Sequence, residues 1–313
     1  MESQKPKIAM YVKRPFGEKL NASFDFLKEN WKLLLKFTTY LLLPLCLIQA
    51  LSLNGLMSGA LSISAIASST AMAASSSSLI AFGSYYGLYM FLYLIGIILL
   101  TSLVYGLIRT YNEREERLQG VTLGMLKPRL FRNIKRLLLM TGACILLVLF
   151  VGIFVGLLVA LTPFTLFLTI PFIIAFSVPL ALLAPIYLFE DITLMEAFKK
   201  TFRLGFATWG GVFLVSLLMG IIANVLQGVT MMPWYLATAV KYFFAMSDVG
   251  GSGEVTVSAG YSFFLYLMAI IQTFGAYLAM IFTFVGMAYQ YGHASEVVDS
   301  ITVETDIDNF DKL

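Results

Sequence analysis

The chain of 313 residues contains one histidine, two cysteines and few charged side chains. A zinc or non-haem iron site needs several His, Cys or carboxylate ligands that converge, and His293 is the only histidine. The two cysteines, Cys46 and Cys144, lie in separate apolar stretches, so their positions give no basis for a disulfide. The sequence therefore predicts neither a metal centre nor a bound cofactor.

Catalytic motifs are also missing from the sequence. It has no Gly-x-x-x-x-Gly-Lys-Ser/Thr phosphate loop, and no apolar stretch supplies the paired aspartates of an intramembrane protease. A serine nucleophile would need a neighbouring base, but His293 is remote in sequence from the serine-rich segment 54–78. No basic stripe suggests nucleic-acid binding. We expect a protein that is not an enzyme and does not bind nucleic acid.

Apolar residues, in contrast, make up 59% of the chain, and only 12% of residues are charged. A helix needs ~20 residues to cross ~30 Å of hydrocarbon. Six stretches of the chain contain no charged residue or histidine, and all but the first exceed this length. The first stretch gains length at its start from Trp31–Lys36. The predicted fold class is all-α, with one polytopic membrane domain over 1–291 and an acidic tail over 292–313. The six stretches without Asp, Glu, Lys, Arg or His are 37–53, 79–108, 137–161, 164–189, 208–232 and 261–289.

Positive charges lie on one side of these six stretches. Lys and Arg number eight in residues 1–36, eight in 109–136, three in 190–207 and one after residue 291, which leaves only Lys241. Because short loops rich in Lys and Arg stay in the cytoplasm, both termini are predicted to be cytoplasmic. The expected location is the bacterial inner (cytoplasmic) membrane, with the basic loops against anionic lipid.

An apolar stripe with a four-residue step precedes the first, third and fifth stretches. Such a stripe is typical of an amphipathic helix in the headgroup layer, with charged residues such as Lys19 on other faces. The third stripe begins with a Thr-x-x-Glu capping box, Thr193–Glu196. The predicted architecture is three copies of an interfacial helix followed by two spans. The stripe residues are Phe16, Leu20, Phe24, Leu126, Leu130, Ile134, Leu194, Phe198 and Phe202.

The third amphipathic helix and its surroundings resemble a known segment. Glu190–Asp191, Glu196–Leu204 and Trp209 are similar to the cytoplasmic segment of a broad group of bacterial six-helix membrane proteins. That group includes the membrane region fused to some glycerophosphoryl diester phosphodiesterases, and many stand-alone proteins of unknown function. The resemblance implies a six-helix fold. It implies no activity for this chain, because the family's catalytic part is a separate soluble domain.

Four uncharged polar side chains fall within the predicted spans: Gln49, Asn224, Gln227 and Gln272. Asn224 and Gln227 are three residues apart and share a helix face, which could meet Gln272 on the sixth span. Hydrogen bonds that hold helices together are one interpretation. A small polar pocket that opens outward is the other.

The fourth stretch contains three prolines, Pro171, Pro179 and Pro185. Each removes a backbone donor and leaves a carbonyl that a neighbouring helix or water must satisfy, so a kinked helix is predicted. Broken transport helices usually come in corresponding pairs, and the only counterpart here is Pro44 in the first stretch. We therefore favour kinks that shape packing over a discontinuous transport helix.

Two further segments are candidates for partner contact. The first half of Pro233–Gly260 is expected to lie along the outer membrane surface as an amphipathic segment. The tail after residue 291 has six acidic residues and one lysine, so it could fold back on the basic loop 109–136, dock a partner or stay solvated. The aromatic side chains proposed as a partner surface are Trp234, Tyr235, Phe243 and Phe244.

These patterns predict a non-catalytic integral membrane protein that assembles with other membrane proteins or handles lipid-like molecules. The alternative is a passive or facilitated transporter that uses the neutral polar groups of the fifth and sixth spans. An intramembrane enzyme is the third possibility. Ion-coupled transport is disfavoured, because no apolar stretch supplies an ionisable side chain. Membrane lipid is the partner that the composition implies directly.

Overall fold

A computed structural model describes residues 6–67, 75–247 and 258–302 of the chain. All regular secondary structure within these ranges is α-helical. Six segments are long and apolar enough to cross a membrane, when α4 and α5 count as one span over Thr165–Phe189. The prediction of an all-α protein with six candidate spans is confirmed. The helices are α1 (Phe16–Ala67), α2 (Ser75–Glu113), α3 (Leu123–Leu161), α4 (Thr165–Leu180), α5 (Leu183–Phe189), α6 (Leu194–Ala207), α7 (Trp209–Ser247) and α8 (Ala259–Val298).

The chain packs as two compact units. Unit 1 consists of Met1–Leu34, Thr101–Ile221 and Phe282–Leu313, and unit 2 of Leu35–Leu100 and Ile222–Ile281. Each has its own apolar core, which is what makes each of them compact. Fully buried core residues of unit 1 include Phe26, Leu34, Leu103, Leu107 and Ile108. One buried cluster of unit 2 comprises Ala50, Leu53, Trp234 and Ala269.

The three amphipathic segments do not form three separate interfacial helices. The first two continue without a break into long helices, as the starts of α1 and α3. In α1 this follows from residues 18–43, which contain neither glycine nor proline to interrupt the hydrogen-bond ladder. Only α6 is separate. It begins at the predicted capping box, where Thr193 Oγ1 accepts from the Glu196 N–H at 3.3 Å and the Glu196 carboxylate accepts from the Thr193 N–H at 2.9 Å.

The buried faces of these segments only partly coincide with the predicted stripes. Leu126 and Leu130 are buried, and Ile134 is half-buried. The other stripe residues are half-buried, because their helices bury a neighbouring face that is richer in small residues. A Cβ added to Gly205 in α6 would lie 2.6 Å from Pro179 Cβ, so these elements approach closely. The half-buried residues are Phe16, Leu20, Phe24, Leu194, Phe198 and Phe202; the buried ones beside them include Ala22, Ser23, Phe26, Ala197, Thr201 and Gly205.

The fourth span breaks where its prolines predict a kink. Helix α4 ends at Leu180 and α5 begins at Leu183. Pro179 has no N–H to donate to the Ala175 carbonyl four residues earlier. The indole Nε1–H of Trp209 donates to that carbonyl oxygen instead, at 3.0 Å. The carbonyl that Pro179 leaves without a backbone donor therefore has a donor within unit 1.

Two predicted boundaries differ from the structure. Helix α7 extends to Ser247, so residues 233–247 continue the helix beyond the predicted end of the fifth span at residue 232. Helix α8 extends to Val298, and its residues Ala294 and Ser295 are buried. The predicted tail over 292–313 therefore begins inside a packed helix. In both places apolar residues continue the helical periodicity beyond the uncharged stretch. Residues 248–257 and 303–313 lie outside the described part of the chain.

Candidate functional site

The four polar side chains predicted to form a pocket have different surroundings in unit 2. Gln49 is buried, and its Oε1 accepts from the Tyr277 hydroxyl at 2.9 Å. Gln272 is also buried, and its Oε1 has no hydrogen-bond partner among the described residues. Asn224 is exposed and Gln227 is half-buried. The Gln49–Tyr277 bond is the helix-to-helix contact that the packing interpretation describes, and Asn224 does not share the burial of Gln272.

The aromatic residues of the predicted partner surface also differ from one another in exposure. Trp234 is 2% exposed, and its indole N–H donates to Asn54 Oδ1 at 2.9 Å. It belongs to the core of unit 2, because a large ring with one satisfied polar group is stable when buried. Tyr235 and Phe243 are 48% and 72% exposed. The side chain of Phe244 lies outside the described residues.

The sequence interpretation did not single out a group of arginines in unit 1. Arg109 and Arg114 lie at and just after the end of α2, and Arg129, Arg132 and Arg136 follow near the start of α3. The last three are spaced by three and four residues, so they share one face of α3. We call these five side chains the arginine cluster. The spacing of these arginines is visible in the sequence. We used their charges there only to predict the membrane topology.

Carboxylates offset the arginine cluster incompletely. Glu113 pairs with Arg109 at 2.8 Å and with Arg129 at 2.5 Å. Asp191 lies 3.4, 3.6 and 4.0 Å from Arg109, Arg132 and Arg136, so one carboxylate serves three guanidinium groups at long distances. Arg114 pairs with Glu116 at 2.8 Å. Five arginines thus share three carboxylates, which leaves an excess of two positive charges.

Arg136 has a structural role within this cluster. Its guanidinium lies 4.0 Å from the centre of the Tyr187 ring. Its Nη2 donates to the carbonyl oxygens of Tyr187, Glu190 and Ile192, at 2.6, 3.0 and 2.8 Å. These carbonyls end α5 and lead into α6, so Arg136 supplies donors that the helix end lacks.

A second ionic group joins α6 to the end of α8. The Glu190 carboxylate accepts from the Tyr291 hydroxyl at 2.6 Å and pairs with Lys200 at 2.9 Å. Asp299 pairs with Lys200 at 2.9 Å and with Arg203 at 2.7 Å. Burial lowers the pKa of Lys200, but Glu190 and Asp299 outweigh it, so the pKa is raised overall. Asp299, from the predicted acidic tail, therefore pairs with α6 and not with the loop 109–136.

Lys19 is the buried cation that the sequence interpretation missed. It was expected on a charged face of an amphipathic helix, but it is 5% exposed and its Nζ donates to Gln290 Oε1 at 2.9 Å. Its acceptor is thus a neutral amide. Lys19, Ser23 and Phe26 recur at helical spacing, and this was the available signal. The neighbouring stripe of Phe16, Leu20 and Phe24 is more apolar, so it was predicted to be the buried face in place of the face that carries Lys19.

Together the fold and the site define a multi-pass α-helical membrane protein with an arginine-rich region in unit 1. In comparisons with family models, curated proteins and solved structures, nothing matches this chain. The resemblance of the segment from Glu190 to Trp209 to bacterial six-helix membrane proteins stays a prediction. The chemistry of the site is that of guanidinium groups, which bind phosphate and carboxylate oxygens in a two-pronged geometry.

Proposed function

We propose that this protein is a non-catalytic, multi-pass protein of the inner membrane that handles lipid-like molecules by binding their anionic headgroups. In this proposal the arginine cluster and both termini are cytoplasmic. The observation that carries it is the charge excess of the cluster, in which five arginines share three carboxylates. Each Lys or Arg near an anionic leaflet contributes about 1 kcal/mol of attraction.

The lipid that co-purifies with the protein tests this function. The full chain would be purified in mild detergent, and its bound lipids compared with the bulk membrane by native mass spectrometry. We expect enrichment of anionic over zwitterionic phospholipid, reduced by added salt because screening weakens exposed charge pairs. A bound-lipid composition equal to that of the bulk membrane would contradict the proposal.

The proposed orientation has its own test, with single cysteines at two exposed positions. Gln119→Cys lies in the basic loop and Ser258→Cys precedes α8. Because basic loops stay inside, an impermeant thiol reagent added to intact cells should label residue 258 and not residue 119. The parent chain, whose cysteines Cys46 and Cys144 are buried and half-buried, is the control. Labelling of residue 119 from outside would reverse the orientation.

A second candidate function is assembly with another membrane protein, for which α3 gives a specific observation. Gly152 and Gly156 form a Gly-x-x-x-Gly pair, and among the described residues no atom of another element lies within 4 Å of a Cβ added to either glycine. Such pairs allow close approach of a second helix in a membrane. We expect Gly156→Ile to reduce the size of the purified particle in light scattering, and an unchanged particle would exclude this surface.

A further inference from the structure

We propose that a cavity of about 440 Å³ beside the arginine cluster binds a single phosphate group, carried by a lipid headgroup or by a soluble phosphate ester. The inference rests on the proposed function and narrows it to one site. The cavity lies between the end of α2 and the start of α3. Its volume is within the usual range of small-molecule sites.

The lining of this cavity combines basic and apolar side chains. Arg114, Arg129 and Arg132 contribute guanidinium groups, whereas Val121 and Leu126 contribute apolar surface. Glu113 is also in the lining, but its Oε1 accepts from Arg109 and its Oε2 from Arg129. It is therefore already paired and offsets only part of the positive charge. A phosphate joined to glycerol or to an alkyl group matches a lining that combines guanidinium groups with apolar side chains.

Two of the three arginines have donor capacity that the protein leaves unused. Arg114 pairs with Glu116 through Nη2, but its Nη1 is buried and has no hydrogen-bond partner among the described residues. Arg132 reaches Asp191 only at 3.6 Å, and its side chain is 48% exposed. A buried N–H of a charged group without an acceptor costs free energy, which an anionic oxygen in the cavity would recover once the Arg114 guanidinium turned to meet it.

The backbone around the cavity adds to the attraction for an anion. Leu126 is in the first turns of α3, which begins at Leu123, and the N-terminal end of a helix is its positive end. The preceding loop is held in shape by Arg117, which has a φ of 59° and pairs with Glu29 at 2.8 Å. This ion pair holds a backbone conformation that is unfavourable for a residue with a side chain.

Titration calorimetry on the full chain in detergent tests the proposal with three probes. These are dihexanoyl phosphatidylglycerol, dihexanoyl phosphatidylcholine and inorganic phosphate. We expect the phosphatidylglycerol to bind, and Arg132→Gln to weaken its binding about tenfold, or about 1.4 kcal/mol, because one charge-assisted hydrogen bond is lost. Arg114→Gln should have a similar effect. If that variant fails to fold, the half-exposed Arg132 still provides the test.

A matched control removes two charges from exposed positions of the same helix, outside the cavity lining. It is the double variant Lys127→Gln/Lys135→Gln, which should bind the phosphatidylglycerol within about twofold of the parent, because exposed charges are screened. Inorganic phosphate that binds equally well and competes would assign the site to a soluble phosphate ester, and no competition would assign it to a lipid headgroup.

Two results would overturn the cavity assignment. One is unchanged phosphatidylglycerol binding in both arginine variants. The other is an equal loss in the Lys127/Lys135 control, which would show that only total charge matters. If the parent still co-purifies with anionic lipid in either case, the proposed function stands without this site. If the parent shows no such enrichment, the proposed function itself fails.

Discussion

Helices α2 and α3 are both strongly apolar, yet they are buried to opposite extents. In the most apolar 18-residue window of each, 67% of α2 is buried within the protein and none of α3 is, although the α3 window is the more apolar of the two. In a soluble protein the more apolar helix would be the buried one. In a bilayer lipid solvates apolar side chains equally well, so burial follows from close packing and hydrogen bonding.

Small residues allow the close packing of α2, whereas Gly152 and Gly156 of α3 have no such contacts among the described residues. In α2, a Cβ at Gly96 would run into the Tyr277 hydroxyl within unit 2. Buried Ser102 donates to the Leu130 carbonyl oxygen at 3.1 Å within unit 1. In α3, Gly152 and Gly156 have open space around them among the described residues. The same residue type thus marks a packed contact in one helix and a free surface in the other.

The largest expected effect comes from filling these glycines. Gly96→Leu should destabilise the protein by about 3 kcal/mol or prevent folding, because the Tyr277 ring occupies the space that the new side chain needs. Gly152→Leu should change stability by less than about 0.5 kcal/mol, since nothing is displaced. Thermal unfolding in detergent measures both. Equal losses in the two variants would show that α3 is packed as closely as α2.

The second-largest loss of stability is expected from a buried polar contact, the hydrogen bond between Lys19 and Gln290. Gln290→Leu removes the acceptor of the Lys19 ammonium and leaves a buried cation unpaired, at a cost of about 2–3 kcal/mol. Gln290→Glu restores an acceptor and should recover stability. The exposed Gln119→Leu is the control and should be nearly neutral. If Gln290→Leu unfolds at the same temperature as the parent, Lys19 has another acceptor in solution.

The elements themselves could be predicted from the sequence, because uncharged length, cap and proline positions act locally. The six spans, the Thr193–Glu196 cap and the break after Pro179 all follow from such signals. Burial could not be predicted as well. Lys19 and Trp234 are buried because of residues distant in the chain, Gln290 and Asn54, and no local pattern shows these partners. The arginine cluster was present in the spacing of α3, but its relation to Asp191 depends on the fold.

An effect of intermediate size is expected at the break in the fourth span, where a double-mutant cycle can be measured. Trp209→Phe removes the indole N–H and leaves the Ala175 carbonyl without its donor, at a cost of about 1–2 kcal/mol. Pro179→Ala supplies a backbone N–H that can bond to the same carbonyl. We therefore expect Trp209→Phe to cost less in the Pro179→Ala background, as measured by thermal unfolding. Strictly additive losses would contradict the exchange of donors.

The smallest expected effect concerns the exposed cap of α6. Backbone and side-chain hydrogen bonds from Thr193 lower the pKa of the Glu196 carboxyl. A carboxyl with a lowered pKa in the folded state contributes stability above its pKa in the unfolded state, and that contribution is lost as the pH falls through the folded value. Glu196→Gln should therefore lower the melting temperature slightly at neutral pH.

The difference between Glu196→Gln and the parent should then shrink as the pH falls below the ordinary glutamate value of about 4.3. Melting curves of both proteins in detergent over this pH range measure it. Glu115→Gln, at an exposed glutamate outside any helix, is the control for the loss of one carboxylate charge. A difference that stays constant from neutral to acidic pH would mean that the carboxylate charge is not what caps α6. The cap would then depend only on the Thr193 hydroxyl, which accepts from the Glu196 N–H whatever the charge of that side chain.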